Sequence, residues 1–373
     1  MSAPGAYVHV PFCAHRCAYC SFVAQAGKEG EDAYFEAVGL EIRARAREAR
    51  GPLDTVYFGG GTPSFVGPAR LEGVVRLLGE TFGLAPGAEV TAEGNPDDLD
   101  DARLEALRAA GVGRLSVGVQ SLVDGELSWL ERRHDAASAR SAVSRATALF
   151  PRVSADLMIG IPGQTRGTLL ASLDGLLDAG VGHVSVYLLE LEKAPRLVAL
   201  RREEPGLFAD DDEMAERWEL VDERCAAAGL PRYEVSNWAR PGDESRHNLK
   251  YWTGAPTLAF GVAAHSFDGR VRRANSGSTT EYVRRVREGG TAFVSEDVVE
   301  GEAAIRERAL LGLRLAAGIP AGVLEAAAAT LAPSARTRLR ECGEAGLLER
   351  RDGRVRLTRR GVLLSNEVFS LLV

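Results

Sequence analysis

The chain has 373 residues, 45 Lys and Arg against 52 Asp and Glu for a formal net charge of −7, and 45% hydrophobic residues. A chain this long buries roughly 75% of its extended surface and folds without needing a disulfide or a metal, and at about 150 residues per domain it suggests two domains or a barrel with an appendage. No apolar run reaches the roughly 20 residues of a membrane span, the opening Met1-Ser2-Ala3-Pro4-Gly5 does not read as an export signal, and the acidic balance gives no general attraction to nucleic acid or anionic lipid, so an ordinary globular cytoplasmic protein is expected.

Short β-rich runs alternate with amphipathic stretches through the first half. Strands are predicted at 7–10, 55–58, 89–93, 114–119, 153–159 and 183–191, and helices at 32–47, 69–80, 101–110, 136–149 and 165–177. Gly111 and Gly180 each follow a periodic run, as helix stops do. This alternation implies a parallel sheet with crossover helices, either an open doubly wound sheet or a full or partial barrel. Reactive residues in such sheets gather at the C-terminal strand ends. There the sequence puts Cys13, Gly59-Gly60-Gly61-Thr62, Glu93-Gly94-Asn95-Pro96 and Gln120-Ser121, with Asp156 inside the fifth strand and Tyr187 to Glu190 late in the sixth. Residues 232–266 turn aromatic and polar, and from 301 the chain is rich in Ala, Leu and Arg and helical. It closes with two short runs about Asp352-Gly353, a hairpin signal, so a helical, winged-helix-like C-terminal domain is expected. The expected division is 1–240 for the core and its extension, 241–300 for a connecting region, and 301–373 for that last domain.

Of five cysteines, Cys13, Cys17 and Cys20 fall within eight residues as C-x3-C-x2-C. An odd count clustered in this way is not a disulfide framework and reads as metal chemistry. A structural zinc site takes four ligands, which His15 or Cys225 would have to complete. A [4Fe–4S] cluster ordinarily takes four thiolates, so three leave one iron open to a chelating ligand. Cys225 and Cys342 sit in Ala-rich helical contexts, where cysteine behaves as a small hydrophobe. The Gly59-Gly60-Gly61-Thr62 stretch lacks the Lys of a phosphate-binding loop, and glycine at a strand end lets backbone approach a ligand closely. Nine arginines between Arg336 and Arg360 could form a basic face, but Glu341, Glu344 and Glu349 interleave with them, which disfavours nucleic acid.

The C-x3-C-x2-C loop after a first strand resembles that of radical S-adenosylmethionine proteins. The resemblance implies a partial (β/α)6 barrel in which Cys13, Cys17 and Cys20 hold a [4Fe–4S] cluster and S-adenosyl-L-methionine chelates the free iron. Cleavage to a 5′-deoxyadenosyl radical is that superfamily's chemistry. By the same resemblance Tyr7, Tyr19, Gly60, Gly61, Thr62, Glu93, Gln120, Arg132 and Asp156 contact S-adenosylmethionine. Tyr7-Val-His9-Val-Pro11-Phe12-Cys13, Tyr57-Phe-Gly-Gly-Gly-Thr-Pro-Ser64, Gly118-Val-Gln-Ser121 and Asp156-Leu-Met-Ile-Gly-Ile-Pro-Gly163 narrow it to the oxygen-independent coproporphyrinogen III oxidase family. Within that family the true oxidases carry a further cysteine where this chain has Phe22, and Phe22 matches the heme-chaperone group. So does His247-Asn248-Leu249-Lys250-Tyr251-Trp252, which fits that group's H-N-x-x-Y-W motif and implies a heme site of His247, Tyr251 and Trp252. Departures from the family pattern fall at 260–266 and at Lys193-Ala194. The implied function is binding heme and handing it to an acceptor protein. The alternative is oxidative decarboxylation of coproporphyrinogen III in porphyrin metabolism, so whether the chain is an enzyme stays open, as do a homodimer and a peripheral membrane contact.

Overall fold

The computed structural model describes residues 2–48, 51–190 and 195–373; the end of the sixth predicted strand and Lys193-Ala194 lie outside the described residues. All six predicted strands form. They are β1 (Gly5–Val10), β2 (Leu53–Gly60), β3 (Leu84–Gly94), β4 (Arg114–Gln120), β5 (Arg152–Ile159) and β6 (His183–Leu188), each pairing in parallel with the next. The predicted helices appear between them as Glu31–Ala44, Pro68–Phe82, Asp101–Ala109, Ala136–Leu149 and Arg166–Asp178.

Within the strands, residues alternate between two environments, as the period of two requires. Val8, Val56, Phe58, Ala92, Leu115, Val117, Ala155, Leu157, Val184 and Val186 are buried in the main core with apolar residues of the crossover helices. The other face is polar and bonded to itself: Tyr57 donates to Glu93 (2.8 Å), Ser116 to Asp156 (3.3 Å), and Ser154 pairs with His183 (2.7 Å). The sheet therefore curls around a polar interior rather than an apolar one.

The sheet extends further than the six strands. It continues through β7 (Arg232–Glu234), β8 (Asn237–Ala239), β9 (Thr257–Phe260), β10 (His265–Phe267), β11 (Val271–Asn275) and β12 (Phe293–Val298), in the order β12-β11-β10-β9-β1-β2-β3-β4-β5-β6-β8-β7. It does not close on itself, consistent with a partial barrel. Residues 257–298, set aside by the sequence pattern as connecting region, supply four of these strands, and β9 lies parallel to β1 with Gly5 opposite Thr257.

A buried ionic network locks this extension to the first helix. Glu41 and Arg45, 0% and 2% exposed, lie 3.2 Å apart. Glu41 accepts from Gly261 N (3.0 Å), Asn275 Nδ2 (2.8 Å) and Tyr282 Oη (2.8 Å), while Arg45 donates to Ala259 O (2.6 Å) and Ser266 Oγ (2.9 Å). A buried charge pair is tolerable when its remaining polar atoms are satisfied in this way.

The C-terminal part has helices Gly301–Leu313, Ala321–Thr330 and Pro333–Glu344, then the hairpin Leu348–Arg351 and Arg354–Leu357, joined by Ile319–Pro320 into a three-stranded sheet. Asp352 and Gly353 both take positive φ (51° and 73°), the geometry of a primed hairpin turn. This is the winged-helix-like arrangement expected.

Candidate functional site

The C-terminal ends of the parallel strands open into a cavity of about 450 Å³, within the range of small-molecule sites. Cys13, Cys17 and Cys20 line it, together with Tyr19, Gly60, Gly61, Thr62, Glu93, Gln120, Arg132 and Asp156. Eight of the nine residues expected to contact S-adenosylmethionine are thus brought together beside the cysteines. Tyr7 is the exception. Its side chain lies below the cavity, where the hydroxyl pairs with His9 Nδ1 (3.2 Å) and the ring stacks on Tyr57.

The cysteine loop leaves β1 through Phe12–Cys13, which pairs with Gln25–Ala26 and so fastens the loop at both ends. Thr62 Oγ1 donates to Cys13 Sγ (3.3 Å), and Arg132 Nη1 to Cys17 Sγ and to Tyr19 Oη (both 3.5 Å). Burial pushes the Cys13 and Cys20 thiols up, so thiolates there call for a strong cation. Among the described residues no three His, Cys, Asp or Glu side chains converge tightly enough to hold a single metal ion. Three thiols lining one cavity are the donor set that a cluster with one open iron calls for. Cys225 is buried and Cys342 half-buried, both in helices away from the cavity.

The rest of the shell is built from strand ends. Gly60 has φ of 107°, and a Cβ there would stand 2.4 Å from the His9 ring, so the turn requires glycine. Its N–H donates to Glu93 Oε2 (3.1 Å). Gln120 takes φ of 69° without being glycine, a strained conformation of the kind that collects at ligand sites. Arg132 is held by Asn95 Oδ1 (2.6 Å) and the Gly118 carbonyl (2.7 Å). Burial raises the Glu93 pKa to about 7 and that of Asp156 to about 6, and each is raised or offset further by the other groups of the interior, Arg114 lowering both. Two such carboxyls beside a guanidinium can receive an ammonium and ribose hydroxyls on one side and a carboxylate on the other.

The expected heme residues lie elsewhere. His247 is 1% exposed, and both ring nitrogens are bonded, Nδ1 to Thr55 Oγ1 (2.9 Å) and Nε2 to Tyr251 Oη (3.0 Å). Burial first, then Lys250 and Arg114, lower its pKa to about 3, so it is neutral. Thr55 stands near the N-terminal end of β2, so this ring closes the barrel at the end away from the cysteines. Trp252 packs under Arg314, whose guanidinium carbon is 4.4 Å from the ring centroid. In this arrangement the His247 ring is committed to Thr55 and Tyr251 and is turned into the protein.

The sequence assigned no individual role to His9, Asn95, Arg114 or Ser116, all of them in or under the site. The signal for them was the same alternation that put Glu93 and Asp156 indoors: each lies on, or just beyond the end of, a strand of the parallel set. The mouth is also more apolar than expected, with Phe22 63%, Leu188 53% and Tyr187 44% exposed around it. A second groove, about 490 Å³, lies between the helices and hairpin of the C-terminal part and gathers no cysteine or histidine.

Known proteins match both parts of this chain. Residues 7–176 match the Radical SAM superfamily and residues 299–364 the HemN C-terminal domain. The chain is 38% identical over 379 residues to the heme chaperone HemW of Mycobacterium tuberculosis, covering 99% of this chain and 94% of that one. It is 34% identical over 374 residues to the heme chaperone HemW of Bacillus subtilis, covering 98% and 97%. Among solved structures, coproporphyrinogen III oxidase (HemN) from Escherichia coli, a radical SAM enzyme, superposes with a TM-score of 0.84 over 99% of this chain and 90% of that one at 22% identity, a likeness of fold.

Proposed function

The chain belongs to the HemW heme-chaperone family of radical SAM proteins, and from that premise we propose that it binds heme and passes it to an acceptor protein, in the cytoplasm, with a [4Fe–4S] cluster and S-adenosylmethionine as its resident groups. No helix among the described residues is long and apolar enough to cross a membrane. The observation that carries the reading is the single cavity in which three cysteine thiols and the Arg132, Glu93 and Asp156 side chains meet. Cys13, Cys17 and Cys20 hold the cluster. Gly60, Gly61 and Thr62 keep the backbone low so that a ligand can approach, Glu93 and Asp156 take its cationic and hydroxyl groups, and Arg132 takes its carboxylate while steadying Cys17 and Tyr19.

When bound, the cluster supplies an open iron and one-electron reducing power. Heme finds its flat apolar surface at the mouth, where Phe22, Leu188 and Tyr187 stand exposed beside the cavity; aromatic side chains of this kind carry large apolar area for such a face. Arg16, exposed on the same rim, suits a propionate. The test is an anaerobic heme titration of the cluster-reconstituted protein followed by Soret absorbance. Saturable binding near one heme per chain, weakened by Phe22→Ala together with Leu188→Ala, is expected. Binding that never saturates, with turnover of coproporphyrinogen III in its place, would overturn the chaperone reading in favour of the oxidase.

A further inference from the structure

The helix Arg246–Thr253, which carries the H-N-x-x-Y-W motif, is bolted beneath the barrel. Ser245 caps it by accepting from Asn248 N (3.3 Å). The His247 N–H donates to the Glu89 carboxylate (3.1 Å), and Lys250 Nζ reaches Asp54 (2.6 Å) and the Ala3 carbonyl (2.7 Å). The helix is therefore tied to the lower ends of β1, β2 and β3 at once.

From the His247 ring two lines of contact climb to the cavity. The ring stacks on Tyr57, centroids 5.2 Å apart and planes at 28°, and Tyr57 Oη donates to Glu93, whose other oxygen holds the Gly60 N–H. It also faces Tyr7 at 6.4 Å and 30°; Tyr7 pairs with His9 Nδ1, and His9 Nε2 bonds the Val23 carbonyl (2.8 Å) near the end of the cysteine loop. One line ends on the carboxyl of the S-adenosylmethionine shell and the other on the loop that bears the thiols. On its far side the motif meets the C-terminal part through Trp252 and Arg314.

We propose that His247, held by Thr55 and Tyr251, is a positioning residue for the S-adenosylmethionine site: its ring sets the height and tilt of Tyr57 and Tyr7 and through them the Glu93 carboxyl and the end of the cysteine loop. The proposal rests on the cluster and S-adenosylmethionine reading above. It gives the motif a role in holding the site from beneath, in place of heme ligation. The Trp252–Arg314 contact lets the C-terminal domain bear on the same helix.

The experiment compares the full-length protein with His247→Ala, His247→Gln and Tyr57→Phe after anaerobic cluster reconstitution. Iron content, S-adenosylmethionine affinity from the change it causes in the electron paramagnetic resonance of the reduced cluster, and heme binding by Soret titration are measured on each. His247→Ala and Tyr57→Phe should weaken S-adenosylmethionine by roughly ten-fold, as losses of outer supporting contacts do at metal sites, with the Soret maximum and heme stoichiometry unchanged. His247→Gln, which keeps an acceptor and a donor for Thr55 and Tyr251, should recover most of that loss. A shifted Soret band or lost heme stoichiometry in His247→Ala with S-adenosylmethionine affinity intact would overturn the proposal and restore His247 as a heme ligand. Equal loss of iron, S-adenosylmethionine and heme, unrescued by Gln, would overturn it in favour of a purely folding role. An unmutated protein with cluster but no S-adenosylmethionine binding would instead bring down the underlying site reading.

Discussion

Glu93→Gln separates the electrostatics of the site from its architecture. The carboxyl goes from 4.5 in an unfolded chain to about 7 in the fold, chiefly because burial disfavours its charge. At 1.36 kcal/mol per pH unit, this difference is worth about 3 kcal/mol. The sign follows from the folded state holding the proton more tightly. The stabilisation is present in full below the unfolded value and is lost as pH rises through 7. Gln carries no such proton. Its loss of an acceptor for the Gly60 N–H adds an offset of about 1 kcal/mol, and that offset does not change with pH. Between pH 5 and pH 8 the stability difference between the two cluster-free proteins should therefore move by about 2.5 kcal/mol in favour of Gln. Equilibrium urea unfolding of the pair, followed by far-ultraviolet circular dichroism at several pH values, measures it. Parallel stability curves would refute the reasoning and would mean that Glu93 is ionised throughout, neutralised by a cation such as Arg114.

The same carboxyls predict the opposite trend for a cationic ligand: with Asp156 near 6 and Glu93 near 7, S-adenosylmethionine affinity of the reconstituted protein should rise as pH climbs through that window and level off above it, readable by equilibrium dialysis. Replacing any one of Cys13, Cys17 or Cys20 by Ala should abolish the brown cluster absorbance and lower bound iron, whereas Cys225→Ala, inside a helix, should leave both intact; equal loss in all four would sink the three-cysteine assignment. Gly60→Ala drives a Cβ to 2.4 Å from His9 at a φ of 107° and should cost about 2–3 kcal/mol in thermal or urea unfolding. Gly67→Ala, with open space around it and φ of −65°, is the control that should change little.

The parallel half of the fold was legible because its strands carry an apolar residue at every second place and its helices carry an apolar stripe; Ala136–Leu149 falls on the predicted bounds. The rim was legible for the same reason, since strand ends locate Cys13, Gly60, Glu93 and Gln120 without further information. The later strands were not. Thr257–Phe260 is only four residues long, and Val271–Asn275 includes two arginines whose side chains pair with Glu307 and Glu296, so neither has an apolar period to read. Their place beside β1 is fixed by Glu41 and Arg45, more than 200 residues earlier in the chain. The inward setting of His247 was hidden by a similar distance effect. A histidine two residues into a helix reads as available, and only the tertiary contacts to Thr55, Tyr57 and Glu89 turn it inward.

The position of β1 has a consequence for how the protein is made. One neighbour of this strand, β2, ends at Gly60; the other, β9, begins at Thr257. At roughly 5–20 residues per second of synthesis, the intervening stretch occupies the ribosome for on the order of 10–40 s. Throughout that interval the strand that leads into Cys13 has one bare edge, Tyr34 and Glu41 lack Val262 and Gly261 as partners, and Arg45 lacks the Ala259 carbonyl. The three thiols, made long before residue 257, thus wait through that interval beside an unfinished scaffold.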